Sequence, residues 1–470
     1  MRLNKNVYIK TFGCSLNHSD SELMAGLLEE AGFNATLNFG SENTTNSKLS
    51  NLDDLNKENK DFNNNFDVVI INTCSVKNLA ERKFFREYNK WKNTNTKIIV
   101  TGCIPQAEPK LLTDELKNVS VLGTRQLTKI VDVVNHTLSG EIIHDISTQT
   151  HKRLNLPKIR KTNIIEIMPI SEGCLSQCTY CKTKYARGNL LSYSKDDIIM
   201  QFKSALAQGC KEFWITSQDN GCYGFDIYRP QKYFLPQLLN DLTAIEGDFM
   251  IRVGMANPDH IKRIKKDLIE SFKNPKIFKF LHIPVQSGNN HVLKIMKRYY
   301  SVEDFEEIVE DFRKEIPQIT LSTDIILGFP EETDEEFKDT IRLIQKLNPE
   351  VVNISRFWLR SGTAAEKLKQ ISGDVSKERG EMAKHIFQEI SAANNRKWIG
   401  KHINVLINEV GKNGEFIGRN DSYKQVIIHK SKTSDNNLKI GDNVSVEIVD
   451  SGTFHILGKI GESVIQDTKA

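Results

Sequence analysis

Three cysteines stand close together as Cys174-Leu-Ser-Gln-Cys178-Thr-Tyr-Cys181. Thiolates are metal ligands, and three in one short loop can grip a single inorganic centre. A closed structural zinc site needs four ligands, and Lys182 to Arg187 supply no further Cys or His. Zinc is therefore the poorer reading. Three thiolates suit a four-iron, four-sulfur cluster, with one iron left open for a substrate or cofactor, as catalytic zinc sites also keep a position open. Tyr180, beside the last of the three, sharpens that reading.

A second set, Cys14, Cys74 and Cys103, is scattered in sequence but shares a setting. Each follows a candidate strand: KTFGC, INTC and VTGC. In a parallel sheet the C-terminal strand ends lie along one edge, where ligands bind, so three thiols there can converge. The alternative is three buried cysteines acting as small hydrophobes. Gly13 and Gly102 precede two of the three at strand-to-loop turns and would let a ligand approach closely. Cys210 and Cys222 carry no motif and read as structural.

The elements that must position these residues follow from periodicity. Residues 1–150 alternate strands (Val7–Phe12, Val68–Asn72, Lys97–Thr101, Ser120–Gly123) with helices (Ser19–Ala31, Asn78–Trp91, Leu127–His136), which predicts a doubly wound parallel sheet. Asp20 and Glu22 are expected in the first turn of the first helix, where the dipole favours acids. Residues 40–65 are rich in Asn, Lys, Asp and Ser without apolar period, and read as a surface insertion. His151–Thr162 holds five Lys or Arg and no acid. This stretch, 151–162, reads as a basic linker, either solvated or touching nucleic acid.

From 163 to 394 six strand-then-helix repeats follow: Ile164–Ile170, Glu212–Thr216, Met250–Met255, Lys276–Ile283, Thr320–Leu327 and Val351–Trp358, with helices such as Ser194–Ala207 and Thr333–Leu347. Such repeats form a partial (βα)6 barrel, with chemistry at the C-terminal strand ends. Residues 395–461 switch to short alternating strands split by Gly, Asn and Asp, a small β-barrel pattern, and 462–470 is a tail.

Composition bounds the rest. The chain has 470 residues and a formal charge of +4 from 64 bases against 60 acids, which excludes a histone-like polycation but not a local basic face. Eight cysteines are too few for a disulfide scaffold. No apolar run is long enough to span a bilayer, and the start lacks a secretory signal, so a cytoplasmic protein without a membrane partner is expected.

KTFGCSLNHSD, INTCSV, TGCIPQ, SEGCLSQCTYCKTKYARGNL and TDIILGFPEETDEEF together resemble the radical S-adenosylmethionine methylthiotransferases. The resemblance covers nearly the whole chain and runs in family order: methylthiotransferase domain, radical domain, RNA-holding TRAM barrel. GCSLNHSD and YCKTKYARGNL resemble the archaeal and eukaryotic branch, which acts on N6-threonylcarbamoyladenosine beside the tRNA anticodon. Two departures stand out: the insertion ahead of Cys74, and Glu331 where the family commonly has Gly after GFP.

The resemblance implies two [4Fe-4S] clusters and S-adenosyl-L-methionine. Cys174, Cys178 and Cys181 would hold the cluster that splits the cofactor to a 5′-deoxyadenosyl radical. Cys14, Cys74 and Cys103 would hold an auxiliary cluster that donates sulfur to carbon 2 of the adenine. Ser217, Gln218 and Asp219 end the second strand, where relatives hold the methionine amino group. His282, Gln286 and Asp324 are further cofactor candidates, or satisfied polar groups at strand ends. Arg187 and Arg360 could meet substrate phosphate or a cofactor carboxylate, or only pair on the surface. Partners implied are the tRNA anticodon stem-loop, a low-potential donor of ferredoxin or flavodoxin type, and a sulfur source. Rival readings are isopentenyl-adenosine or a ribosomal protein as substrate, and, from another class, a non-catalytic iron–sulfur RNA-binding protein.

Overall fold

The computed structural model describes residues 5–39, 66–74, 78–108, 110–149, 152–227, 233–428 and 438–460. The insertion expected at 40–65 and the tail at 462–470 lie outside the described residues. The chain divides into two compact units: Met1–Lys161 with Ile167–Leu175 and Cys181–Gln201, and Thr162–Glu166 with Ser176–Tyr180 and Phe202–Ala470.

The first unit is built on a six-stranded parallel sheet in the order β2-β1-β3-β4-β5-β6. The strands are β1 (Asn6–Thr11), β2 (Asn34–Phe39), β3 (Val68–Thr73), β4 (Lys97–Gly102), β5 (Ser120–Gly123) and β6 (His144–Asp145). Every residue of β3 is buried, as expected of a central strand covered on both faces. On one face Met24 and Leu28 of α1 (Ser15–Glu30) pack with Ile130, Val133 and Val134. On the other, Phe84, Tyr88 and Trp91 of α2 (Asn78–Lys92) pack on Val69, Ile71 and Val100. Two shorter helices matter for the site: α3 (Cys103–Ala107) and, after α4 (Lys110–Thr113) and α5 (Ile130–Leu138), α6 (Thr183–Arg187).

Two details differ from the sequence expectation. Strand β2 was not anticipated, because an edge strand is only half covered and NATLNF keeps polar residues. Helix α1 begins at Ser15, so Asp20 and Glu22 lie beyond its first turn; both are buried. They bind buried bases instead of a helix terminus: Asp20 takes Arg153 and Arg187, and Glu22 takes Lys158. Arg153 and Lys158, inside the basic stretch, are thereby committed to carboxylates within the fold.

The second unit carries parallel strands in chain order. The strand β7 (Ile165–Pro169), whose first residues belong to this unit, edges a sheet ordered β11-β10-β7, with β10 (Glu212–Thr216) and β11 (Met250–Val253). Between them in sequence, β8 (Ser171–Glu172) and β9 (Leu191–Ser192) form a separate antiparallel pair. A second sheet pairs β12 (Phe280–His282), β13 (Thr320–Leu327) and β14 (Val351–Arg356), and an isolated parallel bridge between Ile251 and Ile277 links the two. Six parallel strands in series are the partial (βα)6 barrel. The strand expected over Lys276–Ile283 shortens to Phe280–His282 because the amide of Lys279 bonds Asp421 instead of a strand neighbour. The connecting helices start at side-chain caps: Asn257, Ser301 and Thr333 each accept from an amide of the first turn. They fix where each strand-to-helix turn ends.

The C-terminal strands β15 (His402–Val410), β16 (Phe416–Arg419), β17 (Gln425–Ile428), β18 (Asn443–Ser451) and β19 (Ile456–Ile460) close a barrel in the order β15-β16-β17-β19-β18. Val405, Ile407, Phe416, Val426, Ile428, Val446, Ile448 and Ile456 fill it. The barrel is tied to the beginnings of the parallel strands. Glu212 accepts from Asn408 (2.8 Å) and Tyr423 (3.0 Å), and Thr320 donates to Ser422 (2.7 Å). The C-terminal strand ends, where such folds do chemistry, are left to the loops.

Candidate active site

The three scattered cysteines follow three neighbouring strands. Cys14 comes after β1, Cys74 after β3 and Cys103 after β4, and β1-β3-β4 are adjacent in the sheet. Neighbouring strands lie about 4.8 Å apart, so the topology brings the thiols to one short edge. Gly13 makes the approach possible. Its φ is +121°, and a Cβ built on it would fall 2.5 Å from Cys74 Cβ and 3.0 Å from Cys74 Sγ. A Cβ built on Gly102, at φ +92°, would fall 2.3 Å from Thr73 O. Cys74 and Cys103 are buried, whereas Cys14 keeps accessible surface. Surrounding atoms still desolvate the Cys14 thiol and push its pKa up; Cys103 adds to the rise and Arg187 opposes it.

Arg187, expected to meet a phosphate or cofactor carboxylate, is instead buried among the residues of this edge. Its guanidinium binds Asp20 (2.6 Å) and Asn17 (3.4 Å). Asp20 also binds Arg153 (2.9 Å), which reaches Glu172 (2.9 Å), and Glu172 accepts from Tyr193 (2.5 Å). Two guanidinium groups and two carboxylates are thus buried together. Arg187 has its pKa held well above the ordinary value; burial opposes this, while Asp20, Cys103 and Glu172 favour the charge. Asn17 is shared: its Oδ1 also accepts from Cys14 Sγ at 3.5 Å, and its amide donates to Thr73 O at 2.6 Å.

Cys174, Cys178 and Cys181 lie in the loop between β8 and α6. Within the second unit, Arg298 donates to Cys178 Sγ at 3.3 Å and to Pro284 O at 3.2 Å. A guanidinium suits a sulfur that carries negative charge as a cluster ligand. Sequence reasoning missed Arg298, since it lies 120 residues from Cys178 and no local motif marks it. Tyr180 packs edge-on against Phe329 with 6.0 Å between ring centroids.

At the end of β10, Ser217 accepts from the Asp219 amide at 3.1 Å. Asp219 takes the amides of Gly221 and Asn257 (3.0 Å each) and Nδ1 of His260 (2.6 Å), so its carboxylate is filled by the protein. Asp219, Cys222 and His260 bring possible ligand atoms within 4.8 Å of one another, and these hydrogen bonds account for that closeness. Gln218 differs: its Oε1 is buried and has no hydrogen-bond partner among the described residues, an acceptor that an ammonium group would satisfy. Along β12 and β13, His282 Nε2 meets Asp324 at 3.1 Å and Gln286 donates its amide to Asp324 O at 2.8 Å. Gln286 is held at φ +69°, a strained conformation that clusters at functional sites. Arg360 follows β14 and accepts from Thr363 through its carbonyl; Trp358 nearby is 51% exposed.

Thiols in threes, the Gly13 approach, the enclosed guanidiniums and the buried Gln218 acceptor fit clusters and an amino-acid-bearing cofactor better than closed zinc.

The Radical SAM superfamily model matches residues 168–344, the TRAM domain model 396–460, and the model described as Uncharacterized protein family UPF0004 matches 41–123. A protein of Pyrococcus horikoshii named probable threonylcarbamoyladenosine tRNA methylthiotransferase is 38% identical over 97% of this chain and 99% of its own length. The threonylcarbamoyladenosine tRNA methylthiotransferase of Homo sapiens is 37% identical over 97% of this chain and 74% of its own. Among solved structures, the radical S-adenosylmethionine methyltransferase TsrM of Kitasatospora setae, with cobalamin and a [4Fe-4S] cluster bound, shares the fold at TM-score 0.53 and 14% identity, covering 77% of each chain.

Proposed function

The chain belongs to the threonylcarbamoyladenosine tRNA methylthiotransferases, and on that premise we propose that it replaces the hydrogen on carbon 2 of N6-threonylcarbamoyladenosine, beside the tRNA anticodon, with a methylthio group. It is a radical S-adenosylmethionine enzyme carrying an iron–sulfur cluster and a TRAM domain. Carbon 2 of adenine offers no acidic proton, so acid–base catalysis cannot start the reaction. When bound, the cofactors supply the radical and the sulfur; the protein supplies position and exclusion of water.

In our reading there are two [4Fe-4S] clusters, one on Cys174, Cys178 and Cys181, the other on Cys14, Cys74 and Cys103. The observation that carries the second is the placement of its three thiols after three adjacent strands. Gln218 accepts from the ammonium of S-adenosylmethionine. Ser217 and Asp219 hold that turn in shape, and Arg298 stabilises the charge on Cys178. Tyr180, His282, Gln286 and Asp324 complete the cofactor's surroundings. Arg360 and the exposed face of Trp358 meet RNA, where an unstacked base can lie on an aromatic ring. The C-terminal barrel grips the RNA backbone. A low-potential ferredoxin or flavodoxin supplies electrons, a separate sulfur source reloads the auxiliary cluster, and the work is done in the cytoplasm. No helix among the described residues is long and apolar enough to cross a membrane.

Co-expression in a host lacking methylthiolated tRNA, followed by nucleoside analysis, tests this. A methylthio group on threonylcarbamoyladenosine is expected. Its appearance on isopentenyl-adenosine or on a ribosomal peptide would replace the proposal.

A further inference from the structure

Arg187 is buried to 1% exposure, yet one of its donors is unused. Its Nη2 serves Asp20 and Asn17, while Nη1 is enclosed and has no hydrogen-bond partner among the described residues. A buried N–H left unmade is costly, and a buried guanidinium more so. The fold nonetheless fixes it firmly. Asp20 holds one side, and Asp20 is held in turn by Arg153. The backbone behind it is anchored too, since Arg125 donates to Arg187 O (2.9 Å) and Thr124 to Ala186 O (2.7 Å).

The location of this unfilled donor is specific. Cys103, Ala107 and Ala186 pack as one buried cluster, so the helix that begins at Cys103 lies against the helix that ends at Arg187. Asn17 touches both the guanidinium and the Cys14 thiol. Arg187 therefore lies close to two of the three thiols of the amino-terminal edge, Cys14 and Cys103. Buried ion pairs are weak sources of stability, and hydrophobic replacements often do as well. A network that fixes Arg187 beside the thiol edge is better explained by what its positive charge does to the centre those thiols hold.

We propose that Arg187 is a positioning residue for the auxiliary cluster: its free Nη1 donates to a sulfur of the centre held by Cys14, Cys74 and Cys103, and its fixed charge raises that centre's reduction potential. Hydrogen bonds to sulfur and nearby charge are recognised levers on such potentials. Reduction adds negative charge, so a cation stabilises the reduced form. Asp20 restrains the effect and keeps the guanidinium in place. This inference rests on the two-cluster reading above.

The test uses the full chain with Cys174, Cys178 and Cys181 all changed to Ala, so that only the amino-terminal triad can hold iron. Into it are placed Arg187→Met, Arg187→Lys and Asp20→Asn. Iron and sulfide are counted, and the cluster is titrated electrochemically under electron paramagnetic resonance. At the potential where the parent is half reduced, Arg187→Met should lower the reduced-to-oxidised ratio at least tenfold, equivalent to about 59 mV for one electron. Arg187→Lys should restore part of the difference. Asp20→Asn should shift the ratio the other way, which keeps the test open if Arg187→Met does not fold. Equal ratios in iron-loaded parent and variants would overturn the inference alone. A parent without iron would overturn the two-cluster reading, and the inference with it.

Discussion

Replacing Gly13 by Ala places one methyl group inside the amino-terminal triad. The added carbon would sit 2.5 Å from Cys74 Cβ and 3.1 Å from Asn17 Cγ. Ordinary carbon contacts begin near 3.5 Å, so Cys74 must retreat by about 1 Å. Metal-site ligand distances hold to about 0.2 Å, so the triad cannot absorb that movement and still grip one cluster. The left-handed backbone adds about 1–2 kcal/mol of strain for any residue with a Cβ. Gly140→Ala separates the two effects, because Gly140 has φ +94° but none of the described residues lies within 4 Å of its added carbon. Iron and sulfide would be counted on anaerobically purified protein, with thermal unfolding alongside. The wild type should carry about eight irons, one cubane per triad. Gly13→Ala should fall to about four and lose stability, while Gly140→Ala should lose only stability. About eight irons in Gly13→Ala would show that Cys74 is no ligand of a cluster shared with Cys14.

Other expectations follow from single residues. Glu331 adopts φ +68° and its side chain is exposed, so Glu331→Gly should raise stability by about 1 kcal/mol in denaturant unfolding; a loss would mean that the side chain contributes. Burial, helped by Lys161, lowers the His18 pKa from 6.5 to about 4. The folded protein thus resists a proton that the unfolded chain takes up. Stability should be full above pH 6.5 and decline towards pH 4, by on the order of 3 kcal/mol. His18→Gln should flatten that slope, and an unchanged slope would assign it elsewhere. Arg298→Met removes the donor to Cys178; a lost bond to a charged group costs about 1.5–3 kcal/mol. Cofactor cleavage should slow at least tenfold with iron retained, and a normal rate would remove Arg298 from the site. Binding of tRNA should weaken steeply as salt rises; affinity unchanged between low and high salt would refute the backbone-gripping role of the barrel.

Much of the architecture was readable in the chain because its signals are local. Runs such as VVIINT and KIIVTG announce buried parallel strands, and Ser217-Gln218-Asp219 falls at a strand end because the apolar Phe213-Trp214-Ile215 of β10 runs out just before it. The Glu331 departure also resolves: Glu there takes the left-handed conformation that the family's Gly would adopt freely. What was not readable is pairing across distance. Asp20 looked like a helix-dipole acid, and only the fold shows Arg153 and Arg187 converging on it. Arg187 looked like a phosphate contact because a lone Arg beside Gly carries no sign of its burial. Arg298 had no local pattern, and Asp219 gave no hint that His260 would occupy its carboxylate. The strand β2 was hidden by the polar residues that an edge tolerates.

The division of labour between the two triads is tested most directly by anaerobic turnover with dithionite, S-adenosylmethionine and an anticodon stem-loop carrying N6-threonylcarbamoyladenosine. Two products are read together: 5′-deoxyadenosine and the methylthiolated nucleoside. Wild type should give both, Cys14→Ala only 5′-deoxyadenosine, and Cys178→Ala neither. Methylthiolated nucleoside from Cys14→Ala, or 5′-deoxyadenosine from Cys178→Ala, would contradict the account.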